Sequence, residues 1–151
     1  MGEVYFYHLT RRSAPDVLLP LLTRALAQDW RVVVRGIDQE RLAALDARLW
    51  QGDGFLPHGL AGGPHDARQP VLLTTGREDG DCLMSVDGAE VTAAEVTGAR
   101  RTCILFDGLD GAALARARAQ WTTLTGAGCA ARYWSEEGGS WEEKAVRNVS
   151  G

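Results

Sequence analysis

The run Val32-Val33-Val34 constrains this chain most. Three consecutive β-branched apolar residues suit a strand buried on both faces, which is the usual position of a central strand in a parallel sheet. Its flanks support that reading. Val4-Tyr5-Phe6-Tyr7-His8-Leu9 is rich in aromatic and branched residues and predicts a first buried strand. Ser13 is placed to cap a helix over residues 14–28, with Pro15 and Asp16 in its first turn. Leu18, Leu19, Leu22, Leu26 and Trp30 then follow helical spacing. After the valines, Asp38 is placed to cap a second helix whose Leu42, Leu45 and Leu49 share one face and which ends near Trp50. Strand, helix, strand, helix at crossover length predicts a parallel α/β sheet.

Residues 51–69 break the pattern. Gly52, Gly54, Pro57, Gly59, Gly62, Gly63 and Pro64 oppose any helix or long strand. A loop of this length inside a compact domain is usually functional or unstructured. Strands return at Pro70–Thr74, Cys82–Val86 and Thr102–Phe106, with a short helix within 90–99. Residues 110–125 predict an Ala-rich helix stopped by Gly126 and Gly128. Ala130–Trp134 predicts a sixth strand and Trp141–Val146 a short final element. The expected layout is one domain over 1–147, with 148–151 as a frayed tail.

A chain of 151 residues is long enough to bury one core. No apolar run approaches the ~18 residues a membrane span needs. The N-terminus lacks the basic and apolar regions of a secretory signal. Cys82, Cys103 and Cys129 are odd in number and widely spaced, as expected of packed thiols in a reduced cytoplasmic protein. Of sixteen basic residues only Lys144 is lysine, an excess of arginine that fits codon bias in a GC-rich genome. A net charge of −4 makes the chain a poor general binder of nucleic acid.

The usual catalytic and cofactor motifs are missing. The segment Thr10-Arg11-Arg12-Ser13-Ala14, between the first strand and its helix, holds no glycine, so a dinucleotide fingerprint is absent. GxxxxGK[ST] and GxSxG are absent too. His58 and His65, with Asp53 and Asp66 nearby, are too sparse for a metal site and are expected to be solvated or capping. His8 is expected to be a core or sheet-end residue. No cofactor is expected. A nucleotide-dependent enzyme on the same scaffold stays as the alternative, supported by fold analogy alone.

Two clusters remain. Trp50, Phe55, Leu56 and Pro57 either plug the end of the second helix or form an apolar patch that receives a partner. On the late helix Leu114, Arg118 and Trp121 share one face, with Arg116 near its edge. They are either a solvated arginine beside a core tryptophan or a site for an acidic peptide. In the second reading Arg118 holds a carboxylate, Trp121 and Leu114 wall an apolar pocket, and Arg132 adds to the rim.

These residues also carry a family pattern. Leu45-Asp46-Ala47-Arg48-Leu49-Trp50, followed by Phe55-Leu56-Pro57-His58-Gly59-Leu60-Ala61-Gly62, resembles the chi subunit of bacterial DNA polymerase III holoenzyme. Support comes from Phe6-Tyr7-His8-Leu9, from Pro70-Val71-Leu72-Leu73, and from Ala117-Arg118-Ala119-Gln120-Trp121 leading to Gly126-Ala127-Gly128. The resemblance implies a three-layer α/β/α Rossmann-like fold with a largely parallel, mixed sheet and no bound nucleotide. It implies a non-catalytic, clamp-loader-associated subunit that meets DNA only indirectly, in the cytoplasm at the replisome. One surface would bind the acidic, Phe-ending C-terminal tail of single-stranded DNA-binding protein, and by position it falls on Arg118 and Trp121. Another would dock the psi subunit, where present, or a repair helicase, and it maps to Trp50, Phe55, Leu56 and Pro57. Thr122 stands where many relatives carry a basic residue and Leu114 where some carry lysine, which implies weaker attraction to the tail and less salt dependence.

Overall fold

The computed structural model describes residues 2–51, 58–62 and 69–149, and of Trp50 the backbone. The elements follow in the order β1 (Glu3–Leu9), α1 (Ala14–Ala27), β2 (Val32–Arg35), α2 (Gln39–Trp50), β3 (Gly59–Leu60) and β4 (Val71–Thr74). Then come β5 (Cys82–Ser85), α3 (Ala93–Gly98), β6 (Arg101–Asp107), α4 (Gly111–Gly126), β7 (Ala130–Ser135) and β8 (Glu142–Arg147). The strands form one sheet in the order β3-β4-β2-β5-β6-β1-β7-β8. All neighbours pair in parallel except β7 and β8. This is a mixed, largely parallel sheet between two helical layers, the three-layer architecture expected.

The valine run shows why the layers are two. Val32 and Val34 enter the core beneath α1 and α2, with Leu18, Leu22, Leu42 and Leu49. Val33 points through the sheet into the core beneath α3 and α4, with Val96, Ala117 and Leu124. Alternation at period two turns one continuous apolar run into packing for both faces. Ser13 accepts from the Asp16 N–H and Asp38 from the Glu40 N–H, so both expected caps form. Thr92 and Glu95 add a reciprocal capping box on the short α3.

Several elements depart from expectation. Trp141–Val146, read only as a short element, is mostly the antiparallel edge strand β8. The glycine-rich segment contributes the two-residue strand β3, held beside β4. His58 is buried rather than solvated, its Nε2 lying 3.3 Å from the Asp46 carbonyl oxygen and 3.3 Å from its Oδ1. Asn148, just after β8, donates to the carbonyls of Thr125 and Cys129 at 3.0 Å each. Its φ of 58° is one that asparagine tolerates. All three cysteines are buried and free, as packed thiols.

Arg35 ends the central strand and is 4% exposed. Its guanidinium donates to the carbonyls of Gly76 and Glu90 and to both carboxylate oxygens of Glu95. Glu95 also accepts from Arg77 and from the Thr92 N–H. One buried ion pair therefore ties β2, the loop after β4 and the start of α3 together. The Arg35 hydrogen bonds hold the Glu95 carboxyl at about 2, far below its ordinary 4.5.

Candidate functional site: an arginine over an aromatic wall

On α4 the face bearing Leu114, Arg118 and Trp121 lies against the sheet beside β7. Leu114 and Trp121 are half-buried on the core beneath α3 and α4. Trp121 meets two rings edge-on: Phe6 of β1 at 5.3 Å and Tyr133 of β7 at 5.8 Å. Phe6 and Tyr133 stack at 6.2 Å because parallel pairing sets them opposite one another. The result is an aromatic wall built from three elements.

Arg118 lies on α4 one turn before Trp121. Its side chain is exposed and has no carboxylate partner among the described residues. Burial pushes the Tyr133 phenol up, and the charge of Arg118 pulls it the other way. The Tyr133 hydroxyl in turn lies 3.0 Å from His8 Nδ1. Thr122, exposed, spends its hydroxyl on the Arg118 carbonyl at 3.1 Å. An unpaired guanidinium beside half-buried aromatic rings is chemically suited to a carboxylate attached to an apolar side chain.

His8 is seated by Gly108. A Cβ at position 108 would lie 1.7 Å from the imidazole Cδ2 and 1.8 Å from Nε2. Gly108→Ala should therefore displace His8 and loosen the Tyr133 contact, lowering stability by about 2 kcal/mol. A denaturant melt checks this, and a loss below a few tenths of a kcal/mol would show that the ring moves freely.

The structure separates residues that the sequence analysis grouped. Arg116 lies on the side of α4 with Ala113, Ala117 and Gln120, and its Nε would be 2.7 Å from a Cβ at Gly88. It thus faces the cleft at the carboxyl ends of the strands, away from Arg118. Arg132 projects from the opposite face of the sheet to its neighbour Tyr133 and is engaged by Glu143 at 3.0 Å and Glu3 at 3.8 Å. It cannot rim the Arg118 site, which corrects that expectation. Trp50 closes α2, whereas Phe55, Leu56 and Pro57 lie outside the described residues, as do Asp53, His65 and Asp66.

Tyr133, Phe6 and His8 are the members that reasoning by helical spacing missed. The available signal was alternation in two strands: Phe6 and His8 in β1, Ala131 and Tyr133 in β7. It needed the strand pairing to be read.

The cleft holds a second feature. Glu136, 2% exposed, follows β7 and reaches the loop between β1 and α1. Its Oε1 accepts from three successive backbone N–H groups: Thr10 at 3.0 Å, Arg11 at 2.8 Å and Arg12 at 2.9 Å. Burial opposes ionisation of this carboxyl, yet the N–H groups of Arg12, Arg11 and Thr10 outweigh burial and hold it below the usual range. A concave set of amides at this turn is where a Rossmann-type fold cradles phosphate. Here the chain's own carboxylate takes those donors. Among the described residues no group of three His, Cys, Asp or Glu is placed to hold a metal ion. No described helix is long and apolar enough to cross a membrane.

Residues 1–132 match the family described as DNA polymerase III chi subunit, HolC. DNA polymerase III subunit chi of Pseudomonas aeruginosa is 33% identical over 87 residues, covering 54% of this chain and 59% of that protein.

Proposed function

The chain belongs to the DNA polymerase III chi family of accessory replication subunits, and on that premise we propose that it is a non-catalytic adaptor for the acidic C-terminal tail of single-stranded DNA-binding protein. Arg118 takes the terminal carboxylate of the tail, and Trp121, Tyr133 and Leu114 receive its last apolar side chain. The observation that carries this reading is the exposed Arg118, without a carboxylate partner among the described residues, one turn before Trp121 on α4, with Trp121 packed edge-on against Tyr133. Arg116 faces the cleft and stays outside the contact. With Thr122 and Leu114 supplying no charge, the attraction rests on Arg118 and is modest. Many tails along one coated strand then raise the effective concentration.

The end of α2 at Trp50 and the following Phe55, Leu56 and Pro57 are the surface proposed to dock psi, and through it the clamp loader, or a repair helicase. DNA is met mainly through these partners. A nucleotide-dependent enzyme is the weaker reading, because a phosphate at the first turn would have to displace the Glu136 carboxylate from three N–H groups.

Titration with an acidic peptide ending in Phe with a free carboxylate tests the tail site. Arg118→Ala should weaken binding about tenfold, the size of a lost charged hydrogen bond. Amidating the peptide should cost the native protein a similar factor and the variant almost nothing. Equal affinity for a folded Arg118→Ala variant would end the assignment.

A further inference from the structure

The face of the sheet opposite the Arg118 site carries a second aromatic surface. There α1 rests on β2 and β6. Beyond its edge lies a cavity of about 540 Å³ lined by Tyr5, Tyr7, Trp30, Trp134 and Trp141. Its floor is Cys82, Cys103 and Met84, all buried. Tyr7 meets Trp141 edge-on at 5.5 Å. The Arg101 guanidinium lies over the Tyr5 ring at 4.5 Å and the Trp30 ring at 5.5 Å. The Trp134 indole N–H is buried without an acceptor among the described residues.

The charge of this cavity is one-sided. Arg12, Arg24 and Arg101 line it, and among the described residues no carboxylate does. Arg12 reaches Glu136 at 3.8 Å, while Arg24 and Arg101 have no carboxylate partner among the described residues. On the adjoining strands, Glu3 pairs with Arg132 and also accepts from the Tyr5 hydroxyl, and Glu143 pairs with Arg132. In a chain of net charge −4 this is a local cationic spot set in aromatic rings.

We propose that this cavity binds one or two nucleotides of single-stranded DNA. A base stacks against the Tyr5–Arg101–Trp30 group, and the neighbouring phosphate lies against Arg24. Stacking on aromatic rings with arginine beside them is the sequence-tolerant chemistry of single-strand recognition. The negative charge of the whole chain argues against a surface that tracks many phosphates, and it leaves such a short contact possible. The tail site lies on the other face of the sheet, so the adaptor would touch both the coating protein and the strand it coats.

The test follows the indole N–H signals of Trp30, Trp134 and Trp141 by NMR during titration with a ten-residue oligo-dT at low salt. Saturable shifts at these three, with Trp121 unmoved, are expected. Arg101→Gln and Arg24→Gln should each weaken binding at least about fivefold, whereas Arg118→Ala should leave it unchanged. An abasic strand of the same length that binds equally well would overturn the proposal, because stacking would contribute nothing. So would the absence of any saturable shift, or shifts confined to Trp121. An acidic Phe-ending peptide that moves these three indoles when oligo-dT does not would assign the cavity to peptide instead. Arg24 is exposed, so Arg24→Gln keeps the test decisive even if Arg101→Gln fails to fold.

Discussion

Arg35→Met lowers the unfolding free energy by about 3 kcal/mol, the lower end of the cost of breaking a buried ion pair from one side. For a chain of this length that corresponds to a fall of about 10 °C in Tm. The loss has two parts. Among the described residues Glu95 keeps only the exposed Arg77 as a cationic partner, and the carbonyls of Gly76 and Glu90 lose this donor. Methionine fills the space but cannot restore these bonds. Thermal unfolding followed by circular dichroism at neutral pH measures the shift.

The same pair determines how acid acts. Glu95 titrates at about 2 in the folded protein, below its ordinary 4.5. A lowered folded value means that its contribution is complete above about 4.5 and is lost as the pH falls toward about 2. The native protein should therefore lose stability steeply across that window, and Arg35→Met should show a flatter slope there. Parallel acid limbs in the two proteins would show that the slope comes from other carboxylates, of which Glu136 is the first to test.

Glu136→Ala has a comparable expected effect and a different signature. It strips the acceptor from three backbone N–H groups at once, at a cost of about 3 kcal/mol, since part of the loss returns as water enters. The empty cradle then presents Thr10, Arg11 and Arg12 amides with the Arg12 side chain alongside. Inorganic phosphate should raise the Tm of Glu136→Ala and leave the native protein almost unaffected, apart from the general salt effect both share. Glu136→Gln, which keeps one acceptor oxygen without the charge, should fall between them. Equal phosphate responses in all three would mean that the amides do not form an anion site once the carboxylate is gone.

Local pattern accounts for what was legible. The valine run, the leucine spacing in α1 and α2, and the caps Ser13 and Asp38 are each specified within a few residues, and they suffice for a parallel α/β sheet. The common face of Leu114, Arg118 and Trp121 is likewise a property of helical spacing alone. Arg116 illustrates where that reasoning ends. It is two residues from Arg118, on another side of the helix, and only its position against Gly88 shows that it serves the cleft.

The remainder depended on pairing between distant segments. Tyr133 joins Trp121 because β1 pairs with β7 across more than a hundred residues, which sets Phe6 opposite Tyr133. That same register sends Arg132 to the opposite face. Glu136 reaches the loop after β1 for the same reason, and Arg35 finds Glu95 only when α3 folds onto the end of β2. By itself the sequence determined the elements, their caps and the face of α4 that carries Arg118, because these follow from spacing along one backbone. Only the tertiary structure decided which carboxylate fills the first-turn amides, which rings wall Arg118 and where a second aromatic cavity opens, because each depends on strand order and register.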